Sequence, residues 1–102
     1  MGEVSVVCAR GDIDLSTAAK VSAALDAVRD GSAVLCLDLR EVGFMDTSGL
    51  RLIIEEQQRA AASGYRFGVV RGSPKIQRVF EIAGLAQDDD LFVEAPLGGG
   101  GG

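Results

Sequence analysis

Apolar residues along this chain switch between two spacings, and the switches mark out its elements. Val4 to Ala9 (VSVVCA) is a short apolar stretch closed off by Arg10 and Gly11, which predicts a strand. From about Thr17 to Arg29, Val21, Ala24, Leu25 and Val28 fall at i, i+3, i+4 and i+7, predicting a helix with one apolar face that Gly31 stops. Val34 to Leu39 (VLCLDL) is apolar except at Asp38, the pattern of a central strand covered on both faces. Past Phe44 and Met45 the spacing turns helical again. Leu50, Ile53 and Ile54 are predicted to face the core, and Arg51, Glu55, Glu56 and Arg59 to face water, with Asp46 or Thr47 as N-cap and Ser63-Gly64 as the stop. Tyr65 to Val70 reads as a strand. Ser73 and Pro74 then open a third helix that turns Ile76, Val79, Phe80 and Ala83 inward and closes at Gly84. Leu91 to Val93 is expected to form a last, short edge strand.

Strands alternating with helices require crossover connections, so the expected class is α/β: a small, mostly parallel sheet with helices packed mainly on one face. Residues 1–95 are expected to form one domain, and Pro96 to Gly102 (PLGGGGG) a flexible tail outside its core.

Composition narrows the function. A chain of 102 residues, 47% of them hydrophobic, is large enough for one core without metals or disulfides. Its net charge of -5, with no cluster of Lys or Arg, excludes a nucleic-acid-binding surface. Cys8 and Cys36 sit in separate apolar runs with no CxxC pair and no His to complete a zinc site, so both are expected as buried free thiols. No basic stretch precedes a long apolar one at the N-terminus, and no apolar run approaches the length of a membrane span. A cytoplasmic protein without membrane insertion is the expectation.

The chain is poor in catalytic groups. Without His, no serine has the usual activating base, and no GxxxxGK[ST] or GxGxxG follows a strand. Asp12, Asp14 and Asp46 lie near strand ends, where solvated loop carboxylates are commoner than magnesium ligands, so neither metal nor cofactor is expected. Lys20 and Lys75 are not at strand ends, which removes a phosphoaspartate receiver. There remains Asp46-Thr47-Ser48-Gly49-Leu50: two hydroxyls at the start of a helix, where unpaired N–H groups and the positive end of the dipole would stabilise an added phosphate. Spacing alone leaves two readings open, a phosphate acceptor or simple caps, and caps are commoner. Gly49 is expected to let another chain's backbone come close.

The run Phe44-Met45-Asp46-Thr47-Ser48-Gly49-Leu50, with Leu37-Asp38-Leu39 before it and Gly84-Leu85 after it, resembles the signature of STAS domains, in particular the bacterial anti-sigma factor antagonists. Gly11-Asp12-Ile13-Asp14 is similar to that family's Gly-acidic-apolar-Asp turn, and with Ser73-Pro74 the resemblance spans Val4 to Val93. It implies a partner-switching protein rather than an enzyme. Ser48, or as second choice Thr47, would be phosphorylated by an anti-sigma factor that is a serine kinase of the histidine-kinase-like ATPase fold. The unphosphorylated form would bind that factor and free its sigma factor, and a phosphatase would restore it. The docking surface implied comprises Asp12, Asp14, Ser16, Asp46, Thr47, Ser48, Gly49, Leu50 and Arg51. Family members commonly carry a further first strand and a last helix for which this sequence shows no pattern, so an uncovered sheet edge is expected to favour dimerisation or aggregation. Two other readings compete: a STAS scaffold in a signalling or lipid-transport complex whose Ser48 touches a partner without being phosphorylated, and a small phosphotransfer or nucleotide-hydrolysing enzyme using Asp46 and Ser48. The missing base, metal cluster and phosphate loop weigh against the enzyme.

Overall fold

The computed structural model describes residues 2–95; the Gly-rich stretch expected as a tail lies outside them. Four strands, β1 (Glu3–Ile13), β2 (Ser32–Met45), β3 (Arg66–Val70) and β4 (Phe92–Val93), form one sheet in the order β1-β2-β3-β4 with every pair parallel. Three helices, α1 (Ala18–Arg29), α2 (Thr47–Ser63) and α3 (Pro74–Ile82), make the crossovers. Crossovers between parallel strands are right-handed, so a sheet that always grows in the same direction carries every crossover helix on the same face. One core cluster accordingly contains Leu25 of α1, Ile53 of α2, and Ile76 and Phe80 of α3, against Leu35, Leu37, Leu39, Phe67 and Val69 of the sheet. Among the described residues, no helix is long and apolar enough to cross a membrane.

The first two strands are longer than the apolar pattern indicated, and the reason bears on the site. In β2, Leu35, Leu37 and Leu39 face the core at period two, then Val42 and Met45 at period three. Of the three register shifts in the β1–β2 ladder, the last two, between Cys8 and Arg10 and between Gly11 and Asp12, each set one extra β2 residue against β1. Such bulges shift the alternation while the ladder continues, so both strands run on to carry Ile13 and Met45 into the core. Gly11, expected to begin a turn, lies within the ladder at φ +75°.

Four further expectations are corrected. Cys36 is buried, but Cys8 is exposed, because β1 is an edge strand and Cys8 faces away from the helices. The central strand β2, expected to be covered on both faces, carries helices on one only; on the open face Asp38 is nonetheless buried, its carboxylate accepting from Arg40 at 2.7 to 3.1 Å. Ala83 is exposed at the C-cap of α3, where the helix has ended and no longer directs it inward. The largest correction is Glu56. It is only 2% exposed and is held by Arg29 at the end of α1 through bonds of 2.9 and 2.7 Å, by Arg59 at 3.1 Å and by the Tyr65 hydroxyl. Burial pushes the Glu56 carboxyl up, but the Arg29 and Tyr65 hydrogen bonds outweigh it and leave it lowered.

Candidate functional site

The C-terminal ends of β1 and β2 each pass through a tight turn into a helix. After β1, the Asp14 carboxylate accepts from the Ser16 N–H at 2.9 Å, the Ser16 hydroxyl at 2.7 Å and the Thr17 N–H at 3.1 Å. The Thr17 hydroxyl in turn donates to the Asp12 carbonyl at 2.8 Å. Asp14 therefore closes its own turn and presents the start of α1; the Ser16 hydroxyl is the main cause of its lowered pKa.

After β2, the Asp46 N–H donates to the Ile13 carbonyl at 3.1 Å, which ties the second turn to the first. Of the two N-cap candidates the structure selects Asp46, whose carboxylate accepts from the Ser48 N–H at 2.8 Å. Thr47 and Ser48 form the first turn of α2, Thr47 exposed and Ser48 half-buried. Gly49 departs from expectation. A Cβ there would overlap the Met45 side chain and lie 3.2 Å from Ile13 Cγ2, so the space is taken by this chain's own core rather than left for another backbone. Leu50 also turns inward, into the core cluster. Gly49 and Leu50 thus seat the first turn on the strand ends, while Thr47, Ser48 and Arg51 face outward.

Between the starts of α1 and α2 runs a shallow cleft of about 230 Å³, walled by Leu15 and Ala18 on one side and Thr47, Ser48, Arg51 and Glu55 on the other. It is smaller than typical small-molecule pockets, which hold roughly 300–1,000 Å³. Nor does the strand order reverse anywhere, so the sheet has no switch-point crevice of the type that takes nucleotides. Among the described residues, no three Cys, Asp or Glu side chains are placed to hold a metal ion. Asp12 and Ser16 are exposed on the β1–α1 turn, so Asp12, Asp14, Ser16, Asp46, Thr47, Ser48 and Arg51 share one end of the sheet. That end suits contact with a macromolecule.

Sequence reasoning missed the apolar part of this end. Leu15 is 83% exposed at the cleft, and Phe44 (42%) and Ile82 (80%) flank an apolar groove that Leu50, Val79 and Thr47 also line. The signal was present in Ile82, which falls off the inward stripe of α3, and in Phe44, which the second β2 bulge turns outward.

Comparison with known proteins places these features. The family model described as "Mlab, STAS domain" matches residues 1–94. The anti-sigma-F factor antagonist RsfB of Mycobacterium tuberculosis is 32% identical over 87% of this chain and 73% of its own. The anti-sigma-B factor antagonist of Listeria monocytogenes is 37% identical over 74% of this chain and 68% of its own. A crystal structure of an anti-sigma factor antagonist from Mycobacterium paratuberculosis superposes with a TM-score of 0.76 at 31% identity, covering 90% of this chain and 79% of that one.

Proposed function

Because the chain belongs to the STAS domain family, we propose that it acts as an anti-sigma factor antagonist: a cytoplasmic, non-catalytic protein that docks on a kinase-type anti-sigma factor through the β1–α1 and β2–α2 turns and is released when Ser48 is phosphorylated. The observation that carries this reading is Ser48 itself, half-buried on the first turn of α2 and lining the cleft. Its N–H is already taken by Asp46, so the side chain is not needed to close the turn. In the transfer, Ser48 Oγ forms a bond to the γ-phosphorus of a nucleoside triphosphate held by the partner. The bond from that phosphorus to the bridging oxygen breaks, the diphosphate leaves, and the hydroxyl proton passes to a base on the partner. A phosphatase returns Ser48 to the hydroxyl form.

The added group brings about -1.5 to -2 charges at neutral pH. It lands where the amide dipoles of α2 converge, so the fold tolerates it. A docked partner must instead desolvate it next to Asp46, at a cost of roughly 3 kcal/mol, a hundredfold or more in affinity. Asp12, Asp14, Ser16, Thr47 and Arg51 form the polar rim of the docking surface, and Gly49 and Leu50 support it from beneath.

The test is incubation with the cognate anti-sigma factor and ATP, read by intact mass. Gain of one phosphoryl group, lost in Ser48→Ala and kept in Thr47→Ala, is the expected result. No gain, together with partner binding that is indifferent to Ser48→Asp, would overturn it in favour of a scaffold that uses Ser48 as a plain contact.

A further inference from the structure

Ser48 and Arg51 are three residues apart on α2, a spacing that sets their Cβ atoms about 5–6 Å from each other on one helix face. Both line the cleft, and Arg51 is the one cation among the described residues that does so. It is also unpaired. Arg10, Arg29, Arg40 and Arg59 each sit within 4 Å of a carboxylate, whereas Arg51, like Arg66, Arg71 and Arg78, makes no ion pair among the described residues; of these four it alone lines the cleft, with Glu55 one turn further along the same wall. Of the other carboxylates at this end, Asp14 is taken by its own turn and Asp46 by the Ser48 N–H, while Asp12 does not line the cleft. An exposed guanidinium has therefore been left beside the hydroxyl with nothing to bind.

We propose that Arg51 is the intramolecular counter-ion of phosphorylated Ser48, folding over the cleft to hold the phosphate through a forked pair of N–H bonds. The inference rests on the reading that Ser48 is the phosphorylated residue and adds how the modified state is held. A guanidinium matches two phosphate oxygens at once, which an ammonium does not. Phosphorylation then changes the docking surface twice. A dianion appears, and the cation that an acidic partner group would otherwise meet is drawn away onto it. Arg51 is thus a positioning residue for the released state, and Glu55, pulling the same guanidinium the other way, opposes it.

The experiment uses the full chain with phosphoserine inserted at position 48 during translation, so that no kinase is involved, and follows the phosphate by phosphorus NMR as pH is varied. An opposite charge held close favours the dianion, so its second ionisation should lie about half a unit to one unit lower in the otherwise unaltered chain than in Arg51→Ala. Arg51→Lys should fall between them, and Glu55→Gln should lower it further. The Arg51 side-chain N–H signal should move with the same midpoint. Coincident titrations of the unaltered chain and Arg51→Ala, with an Arg51 signal that stays still, would overturn the proposal. Because the phosphate is installed directly, that outcome leaves the kinase assay untouched, and a failed kinase assay leaves this titration interpretable.

Discussion

Helix α2 holds charge in opposite ways along its length. Near its middle, the buried Glu56 is held by Arg29 and Tyr65 and capped from the surface by Arg59. At its first turn, two hydroxyls and one unpaired arginine face an open cleft, and the single carboxylate there is used as a cap. The interior site can neither lose nor gain charge without leaving a buried group unsatisfied. The terminal site has solvent exposure, free amide dipoles and an exposed guanidinium to absorb a change. A reversible charge switch needs the second environment on a platform stabilised by the first.

The largest expected effect breaks the interior half. Glu56→Ala leaves Arg29 and Tyr65 without their acceptor, and the unfolding free energy should drop by about 3 kcal/mol, read from the urea midpoint. The effect depends on pH. A carboxyl whose pKa is lowered on folding contributes stability that is fully present above its unfolded value, about 4.3 for Glu, and is lost as pH falls through the lower folded value. Below about pH 4 the urea midpoint of the unaltered protein should therefore fall more steeply than that of Glu56→Gln. Parallel curves would show that the cluster is not a coupled unit.

Ser48→Asp probes the terminal half. A single negative charge imitates part of the phosphate, so affinity for the anti-sigma factor should fall roughly thirtyfold, about 2 kcal/mol by calorimetric titration, while the unfolding free energy from urea titration stays within about 0.5 kcal/mol of the parent. Equal losses of binding and stability would erase the distinction between the two ends. Gly49→Ala sits between these cases. Its Cβ must displace Met45 from beneath the first turn, with an expected cost of about 1–2 kcal/mol to stability and a weakening of binding that follows from the shifted turn.

The same contrast explains what was legible in the sequence. The fold class, the three helices and a cap at Asp46 or Thr47 follow from local rules: apolar spacing, Pro74 and Ser73 at a helix start, and a polar residue before a helix. The full lengths of β1 and β2 do not, because a bulge replaces period two by period three and hides Val42 and Met45 from any simple template. Glu56 reads as water-facing because its partners, Arg29 and Tyr65, lie outside α2, and only the contact between the end of α1 and α2 shows that a charge can be satisfied there. At the site, Ser48 stood out through the motif. The inward roles of Gly49 and Leu50, and the isolation of Arg51, depend on which side of the first turn each residue occupies, and two residues of helix are too few for periodicity to fix that.

The smallest effect separates the two tasks of Asp46, which closes the turn and also places a negative charge beside Ser48. Asp46→Ala removes the acceptor of the Ser48 N–H and should cost about 1 kcal/mol of stability. Asn caps about as well as Asp but carries no charge, so Asp46→Asn should keep stability within a few tenths of a kcal/mol of the parent while easing the repulsion felt by a phosphate at Ser48. The phosphorylated Asp46→Asn protein should accordingly show a higher thermal midpoint than the phosphorylated parent protein, and the unphosphorylated pair should nearly coincide. If Asn instead loses as much as Ala, the turn is held by the carboxylate's attraction to the helix dipole and not by its hydrogen bond. The start of α2 would then depend on a fixed charge much as its middle does.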